Sequence, residues 1–218
     1  MSQVERLREI MARLRAPDGC PWDREQSHAS LAPYLIEECC ELLEAIDRAD
    51  LAHMQEELGD VLLQVVFHAQ LAAEAGQFTL EDVARGIADK LVRRHPHVFG
   101  ENRLETSGQV LEQWNKIKAV EKGLPAGAPE PLVKHLPATL PALRRAYDVY
   151  KELQKKNALP DSHDDAAVQQ LACGLDEGRA GERLFALAAA CRRAGIDPES
   201  ALRRHVIKVV DAAAAKGT

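Results

Sequence analysis

Two clusters of acidic residues lie on segments that otherwise have the pattern of core helices. Glu37, Glu38 and Glu41 form the first cluster, and Glu57 and Asp60 form the second. Residues three or four positions apart share one face of a helix, so the members of each cluster project together. If a tight turn makes the two helices antiparallel, four or five carboxylates converge. This pattern predicts a metal site whose oxygen-only ligands suit Mg²⁺, or Mn²⁺, better than zinc.

An acidic helix face also has a simpler interpretation, because Glu-rich faces are usually solvated surface. That interpretation is adequate for residues 37–44 taken alone. It is less adequate for Glu57 and Asp60, because residues 58–71 of the same segment are apolar nearly all round. Converging carboxylates without a counter-charge would repel one another and destabilise the helix pair. The two clusters together therefore favour metal binding.

Basic residues supply the other half of an anion site. Lys90 and Arg94 are four residues apart near the end of a predicted helix, and Lys118 follows Trp114 on a later one. Basic residues at a helix C-terminus often only complement the helix dipole. Beside a metal site they favour phosphate binding and predict phosphoryl or nucleotidyl chemistry. Trp22 and Trp114 are typical of core aromatics, but in a nucleotide site either could stack on a base.

The composition excludes several classes of protein. A net charge of −6 over 218 residues argues against stable nucleic-acid binding. The longest apolar runs, such as residues 61–67, are too short to span a membrane, and the N-terminus lacks the apolar stretch of a signal peptide. The five cysteines form no C-x-x-C pair, so we expect buried, reduced thiols in a cytoplasmic protein.

The apolar periodicity predicts an all-α fold, and no segment alternates as a strand would. In the first half, helices are predicted at 3–15, 31–47, 51–75 and 79–94, with a short one through Trp114 to 121. A linker rich in proline and glycine ends near residue 137. Beyond it, helices are predicted at 139–156, 165–177, 179–194 and 198–215. His68 falls within the buried third helix and is predicted to be a core histidine.

The second half contains a faint echo of the first. Residues 181–185 can be aligned with residues 59–63, and in that register Arg179 takes the place of Glu57. No Glu-Glu-x-x-Glu precedes this stretch. A cation in the place of a metal ligand is incompatible with a working site, so a second copy would have lost its chemistry.

These motifs resemble the signature of the MazG nucleoside triphosphate pyrophosphohydrolases over roughly residues 5–122. The resemblance rests on the two acidic clusters and on four flanking stretches. These are Gly19-Cys20-Pro21-Trp22-Asp23, Glu57-Leu58-Gly59-Asp60, Asp89-Lys90-Leu91-x-Arg93-Arg94-His95-Pro96-His97 and Trp114-x-x-Ile117-Lys118. Residues 140–146 are similar to the start of the second MazG domain in two-domain members, and the remainder departs from that pattern.

The resemblance implies a MazG-like four-helix-bundle catalytic domain at 1–122. The glycines and prolines at 123–138 predict a linker, and the echo with Arg179 in place of Glu57 predicts a degenerate, non-catalytic helical repeat at 139–218. The resemblance also implies a homodimer in which helices of two subunits complete each site. The implied reaction is Mg²⁺-dependent hydrolysis of nucleoside or deoxynucleoside triphosphates to monophosphate and pyrophosphate, in nucleotide-pool housecleaning. The eroded second half leaves an alternative open, a non-catalytic module that binds nucleotides or a partner protein.

Carried over residue by residue, the resemblance assigns roles to the predicted site. The catalytic residues would be Glu37, Glu38, Glu41, Glu57 and Asp60. All of these except Glu37 would be metal ligands, and Glu37 would hold or activate water. The residues that would bind the phosphates or border the nucleotide are Lys90, Arg94, Trp114, Lys118 and Trp22.

Overall fold

The computed structural model describes residues 1–100, 103–121 and 131–216, and all regular secondary structure in them is α-helical. The predicted all-α fold is therefore confirmed. The chain divides into two compact units, Met1–Ala126 and Gly127–Thr218. No described helix is long and apolar enough to cross a membrane. Residues 123–130 of the predicted linker lie outside the described residues.

The first unit contains seven described helices. They are α1 (Gln3–Leu14), α2 (Pro21–Glu25), α3 (His28–Asp47), α4 (Leu51–Glu74), α5 (Leu80–Arg94), α6 (Pro96–Phe99) and α7 (Ser107–Glu121). The helix α3 begins three residues earlier than predicted because Ser27 and Ser30 form a reciprocal capping box. The helix α2 lies between the predicted helices 3–15 and 31–47, where none was predicted, and its proline at the first position favours a helix start.

The helices α3 and α4 form an antiparallel hairpin that positions the acidic clusters. Only residues 48–50 separate them, and Ala49 takes the left-handed conformation that the tight turn requires. The core beneath the hairpin joins α1, α3 and α4. Its buried residues are Met11, Leu31, Val66 and Phe67.

One face of this hairpin is apolar and exposed, so the predicted burial of α4 is confirmed on one side of the helix and is wrong on the other side for a single chain. Ile36 on α3 is 67% exposed and Leu58 on α4 is 51% exposed. Leu43 and Leu62 are exposed as well. The periodicity identified an apolar face, but within the described part of one chain nothing covers it.

The predicted burial of the cysteines is also wrong for a single chain. All five are free thiols, as expected. Cys39, Cys40 and Cys173 are exposed, and the other two are partly buried. Cys40 lies between Ile36 and Leu43 at helical spacing, so it belongs to the same uncovered face of α3.

The second unit contains four described helices. They are α8 (Ala142–Lys155), α9 (Asp165–Ala172), α10 (Glu177–Arg193) and α11 (Pro198–Lys216). The helix α9 ends five residues before its predicted end, because Gly174 has a φ of +65° and Asp176 caps the next helix. The predicted boundary of α9 is therefore wrong.

The core of the second unit lies between α8 and α11, where Val149, Leu153 and Val206 are buried. Leu132, Val133 and Leu136, which the sequence places in a linker, pack against this core. This part of the predicted linker therefore belongs to the second unit. That the unit is a degenerate repeat of the first stays a prediction.

His28 on α3 and His68 on α4 pair across the hairpin. Their Nδ1 atoms are 2.7 Å apart, the ring planes are within 2° of parallel, and the ring centroids are 5.0 Å apart. This geometry places the rings edge to edge, so one Nδ1 donates a hydrogen bond and the other accepts it. Burial, and then the charge of His28, lower the pKa of His68.

The lowered pKa of His68 predicts that the first unit loses stability as the pH falls below 6.5, the ordinary value for histidine. In that range the unfolded chain binds more protons than the folded chain, so acid favours unfolding. His68→Gln should reduce this loss relative to the unsubstituted chain. Urea unfolding followed by tryptophan fluorescence measures it, because Trp22 and Trp114 both lie in the first unit.

His205→Gln serves as the control, because His205 is an exposed histidine of the second unit. It should leave the pH dependence of this signal unchanged. If His68→Gln and the unsubstituted chain showed the same pH dependence, His68 would not be the cause of the stability loss at low pH.

Candidate functional site

The hairpin brings three of the predicted metal ligands together. Carboxylate oxygens of Glu38, Glu41 and Glu57 lie within 4.8 Å of one another. Glu38 and Glu41 share a face of α3, and Glu57 approaches them from the second turn of α4. Glu57 is only 5% exposed, whereas Glu38 is partly buried and Glu41 is exposed. The group is therefore closed to solvent at Glu57 and open to solvent at Glu41.

The two carboxylate oxygens of Glu57 have different surroundings. Oε1 lies 2.9 Å from His53 Nε2, one helical turn earlier on α4, within ion-pair distance of a protonated imidazole. Oε2 is buried and has no hydrogen-bond partner. A buried carboxylate oxygen without a donor is costly unless a cation compensates it. Oε2 is therefore the atom at which a cation would be stabilised most.

The electrostatics of the group point the same way. Burial raises the pKa of Glu38, and the charges of Asp60, Glu41, Glu57 and Glu37 raise it further. The pKa of Glu41 is also raised, first by desolvation and then by the neighbouring Glu57 and Glu37. All five predicted acidic residues therefore contribute to one repulsive field. Asp60 and Glu37 lie close enough to influence the group without being among its three converging carboxylates.

The donor set fits a hard divalent cation. It consists of carboxylate oxygens alone, one of them buried and unpaired, and it lies where negative charge is concentrated. Mg²⁺ and Mn²⁺ take oxygen ligands, and one or two carboxylates plus substrate phosphates commonly complete a Mg²⁺ shell. These residues could therefore hold such an ion.

A second cluster joins the end of α5 to the end of α7. Arg94 donates from Nε and Nη2 to Glu121 Oε2 at 3.0 and 2.5 Å, and Arg93 Nε donates to Glu121 Oε1 at 2.6 Å. The guanidinium of Arg94 also lies over the ring of Trp114, 5.3 Å from its centroid. Hydrogen bonds from Arg94 and then Arg93 lower the pKa of Glu121 to about 2. The Glu121 carboxylate therefore accepts hydrogen bonds from both guanidinium groups, as a phosphate group would.

The other predicted substrate residues have different positions. Lys90 is exposed on α5, and Lys118 is partly buried on α7. The ring of Trp22 packs edge to face against the ring of Tyr34, and the ring centroids are 6.0 Å apart. Tyr34 precedes Glu38 by one turn of α3, so Trp22 lies next to the helix face that carries Glu38.

Two residues of these clusters were not identified from the sequence. The only signal for His53 is its spacing of four residues before Glu57, which is common on helices without functional meaning. Glu121 carries no local signal, because its pairing with Arg94 depends on how α7 packs against α5. Such pairings are set by tertiary structure.

The second unit offers no comparable group among its described residues. Arg179, which aligns with Glu57, donates from Nη1 to the carbonyl of Gly174 and from its backbone N–H to Asp176. It therefore closes the turn that begins α10. This role accounts for a cation at this position without any metal chemistry.

The acidic residues lie inside a stretch of the chain that matches a known protein-family model. Residues 26–99 match the family model described as the MazG nucleotide pyrophosphohydrolase domain. The chain is 42% identical over 222 residues to the nucleoside triphosphate pyrophosphohydrolase/pyrophosphatase MazG of Thermotoga maritima, covering 95% of this chain and 82% of that protein. It is 48% identical over 152 residues to a nucleoside triphosphate pyrophosphohydrolase of Escherichia coli, covering 69% of this chain and 57% of that protein.

A solved structure, a MazG-related protein from Thermotoga maritima, matches with a TM-score of 0.46 and 31% identity. The match covers 52% of this chain and 97% of the other.

Proposed function

Because this chain belongs to the MazG family of nucleotide pyrophosphohydrolases, we propose that it hydrolyses nucleoside and deoxynucleoside triphosphates to the monophosphate and pyrophosphate. The observation that carries this proposal is the convergence of Glu38, Glu41 and Glu57 around one buried, unpaired carboxylate oxygen. The reaction depends on Mg²⁺, with Mn²⁺ as a substitute, and it serves to clear unwanted nucleotides from the cytoplasmic pool.

The acidic residues would hold the metal. Glu38, Glu41, Glu57 and Asp60 are the ligands in this proposal, with Glu57 Oε2 as the buried one. Mg²⁺ bound there would supply charge neutralisation and Lewis acidity toward the triphosphate. Glu37, at the edge of the group, orients a water and accepts its proton.

The hydrolysis consumes one water molecule. The water oxygen attacks the α-phosphorus, the bond from that phosphorus to the bridging oxygen breaks, and pyrophosphate leaves with the bonding electrons. Lys90 and Arg94 stabilise the charge that develops on pyrophosphate. Arg94 exchanges the Glu121 carboxylate for phosphate oxygens, which are equivalent acceptors for a guanidinium. Trp114 and Lys118 border the nucleotide, and Trp22 contacts it from the side of α3.

Product identification tests the activity. The full chain is incubated with Mg²⁺ and a panel of ribo- and deoxyribonucleoside triphosphates, and the products are separated by ion-exchange chromatography. We expect monophosphate and pyrophosphate in equal amounts. Release of orthophosphate with nucleoside diphosphate, or no turnover of any nucleotide, would rule out the proposal.

We further propose that the uncovered face of the hairpin is the interface of a homodimer. Ile36, Cys40 and Leu43 on α3 and Leu58 and Leu62 on α4 form apolar stripes at helical spacing, and they are exposed in one chain. Contiguous apolar surface of this kind is rare on monomers and typical of interfaces between proteins. Covering it with a second copy removes apolar surface from water, which favours association.

Leu43→Lys should convert the dimer to a monomer, because it places a charge in the middle of the apolar interface. Light scattering on the purified chain measures this directly. We expect twice the 24.0 kDa chain mass for the unsubstituted chain and one chain mass for the variant. Ile10→Lys replaces an exposed apolar residue of α1 and should leave the dimer intact. A monomeric unsubstituted chain would contradict the proposed interface.

A further inference from the structure

We infer that His53 is a positioning residue for Glu57, holding its carboxylate so that one defined oxygen faces the metal. The inference rests on the proposed function, because it concerns the metal site that the reaction requires. His53 lies outside the acidic motifs, and its role follows from the geometry of α4.

The contact is well defined. His53 and Glu57 are four residues apart on α4, and the imidazole Nε2 lies 2.9 Å from Glu57 Oε1. The Glu57 side chain is 7% exposed and that of His53 is 35% exposed, so the carboxylate is screened from water and the imidazole is partly exposed. A polar contact to a buried charged group is stronger than the same contact at the surface.

The backbone of His53 is itself held in place. Asp50 caps α4, and its Oδ1 accepts hydrogen bonds from the backbone N–H groups of Ala52 and His53, both at 3.1 Å. The cap fixes the first turn of α4, from which the imidazole projects toward Glu57. Asp50 therefore fixes the backbone of His53, and His53 in turn positions the carboxylate of Glu57.

The consequence is a distinction between the two oxygens of Glu57. Because Oε1 is occupied by His53, the buried and unpaired Oε2 is the oxygen left to bind a cation beside Glu38 and Glu41. Without the His53 imidazole, the Glu57 carboxylate can rotate about its last side-chain torsion. Metal binding must then remove this freedom, and the entropy cost weakens the affinity. Partners of this kind typically change metal affinity by about 10- to 100-fold when removed.

The arrangement indicates that His53 positions Glu57 and is not itself a metal ligand. The atoms within 4.8 Å of one another belong to three carboxylates, and the imidazole of His53 is not among them. Its Nε2 is in contact with Glu57 Oε1. An imidazole ligand would also suit zinc, whereas the converging oxygens suit Mg²⁺ or Mn²⁺.

The decisive experiment compares His53→Leu with His53→Gln. Leucine removes the donor, whereas the glutamine amide supplies an Nε2–H that can reach Oε1 and does not titrate near neutral pH. Calorimetry with MnCl₂ on the full, nucleotide-free chain measures the affinity. We expect Mn²⁺ binding to weaken by about 10- to 100-fold in His53→Leu and to stay within about threefold in His53→Gln.

Two results would overturn the inference. Unchanged Mn²⁺ affinity in His53→Leu would mean that the contact only stabilises the helix, and loss of affinity in both variants would make the imidazole itself a ligand. Glu57→Gln separates this question from the proposed function. If Glu57→Gln binds Mn²⁺ normally, the metal site itself is wrong; if it loses binding and His53→Leu does not, only the positioning role fails.

Discussion

Glu57→Gln is expected to lower kcat/KM by about three orders of magnitude, which corresponds to about 4 kcal/mol in the barrier. Glu57 supplies the buried oxygen at which the proposed metal is held. Glutamine has nearly the same shape but no negative charge, and its amide nitrogen is not a ligand for Mg²⁺. The substitution therefore removes the electrostatic role while keeping the packing.

The same substitution should make the metal-free protein more stable. Glu57 is a buried charge beside two like charges, with one oxygen that lacks any donor. In Glu57→Gln the amide N–H can donate to Glu41 or Glu38, and the amide oxygen can still accept from His53. Relief of repulsion and a new hydrogen bond should together contribute on the order of 1 kcal/mol. Loss of activity with a gain in stability distinguishes a functional residue from a structural one.

Glu56→Gln is the matched control, because it changes the same charge at the neighbouring, exposed position. Steady-state kinetics and urea unfolding, followed by tryptophan fluorescence, measure both effects. Glu56→Gln should leave both values near those of the unsubstituted chain. Activity of Glu57→Gln above a tenth of the original, or equal loss in the two variants, would remove Glu57 from the mechanism.

The acidic site could be predicted from the sequence because its determinants are local. Spacing along α3 and α4 decides which carboxylates share a face, and the short turn at residues 48–50 makes the hairpin antiparallel. The convergence of Glu38, Glu41 and Glu57 follows from these two facts. Their assigned roles stay predictions until variants are measured.

Contacts between distant helices could not be predicted in this way. The pairing of Arg94 with Glu121 depends on the docking of α7 against α5, and the contact of Trp22 with Tyr34 depends on the path of α2. Apolar periodicity identified which face of α4 is apolar, but it did not distinguish burial within a chain from burial between chains. Leu58 illustrates this, because it fits a core position and is exposed in one chain.

Mg²⁺ should stabilise the first unit, and this stabilisation should grow as the pH rises. The pKa values of Glu38 and Glu41 are raised above 4.5, so the metal-free folded chain binds protons more readily than the unfolded chain. Their repulsion therefore costs stability as the pH rises through these values. Metal requires the ionised carboxylates and relieves that repulsion, so its effect is larger at neutral than at acidic pH.

At a Mg²⁺ concentration about 100 times its Kd, the expected gain is about 2.7 kcal/mol, and it should shrink as the pH falls toward the raised pKa values of Glu38 and Glu41. Tryptophan-detected urea unfolding with MgCl₂ or with EDTA at each pH measures the gain. At each pH the free energy of unfolding with EDTA is subtracted from the value with MgCl₂. The contribution of His68 to stability, which falls at low pH, is present in both values and cancels, because His68 is not among the proposed metal ligands. EDTA should abolish turnover and MgCl₂ should restore it. An equal Mg²⁺ effect in Glu57→Gln would place the ion elsewhere, because that variant lacks the buried charge that makes this site favourable for a cation.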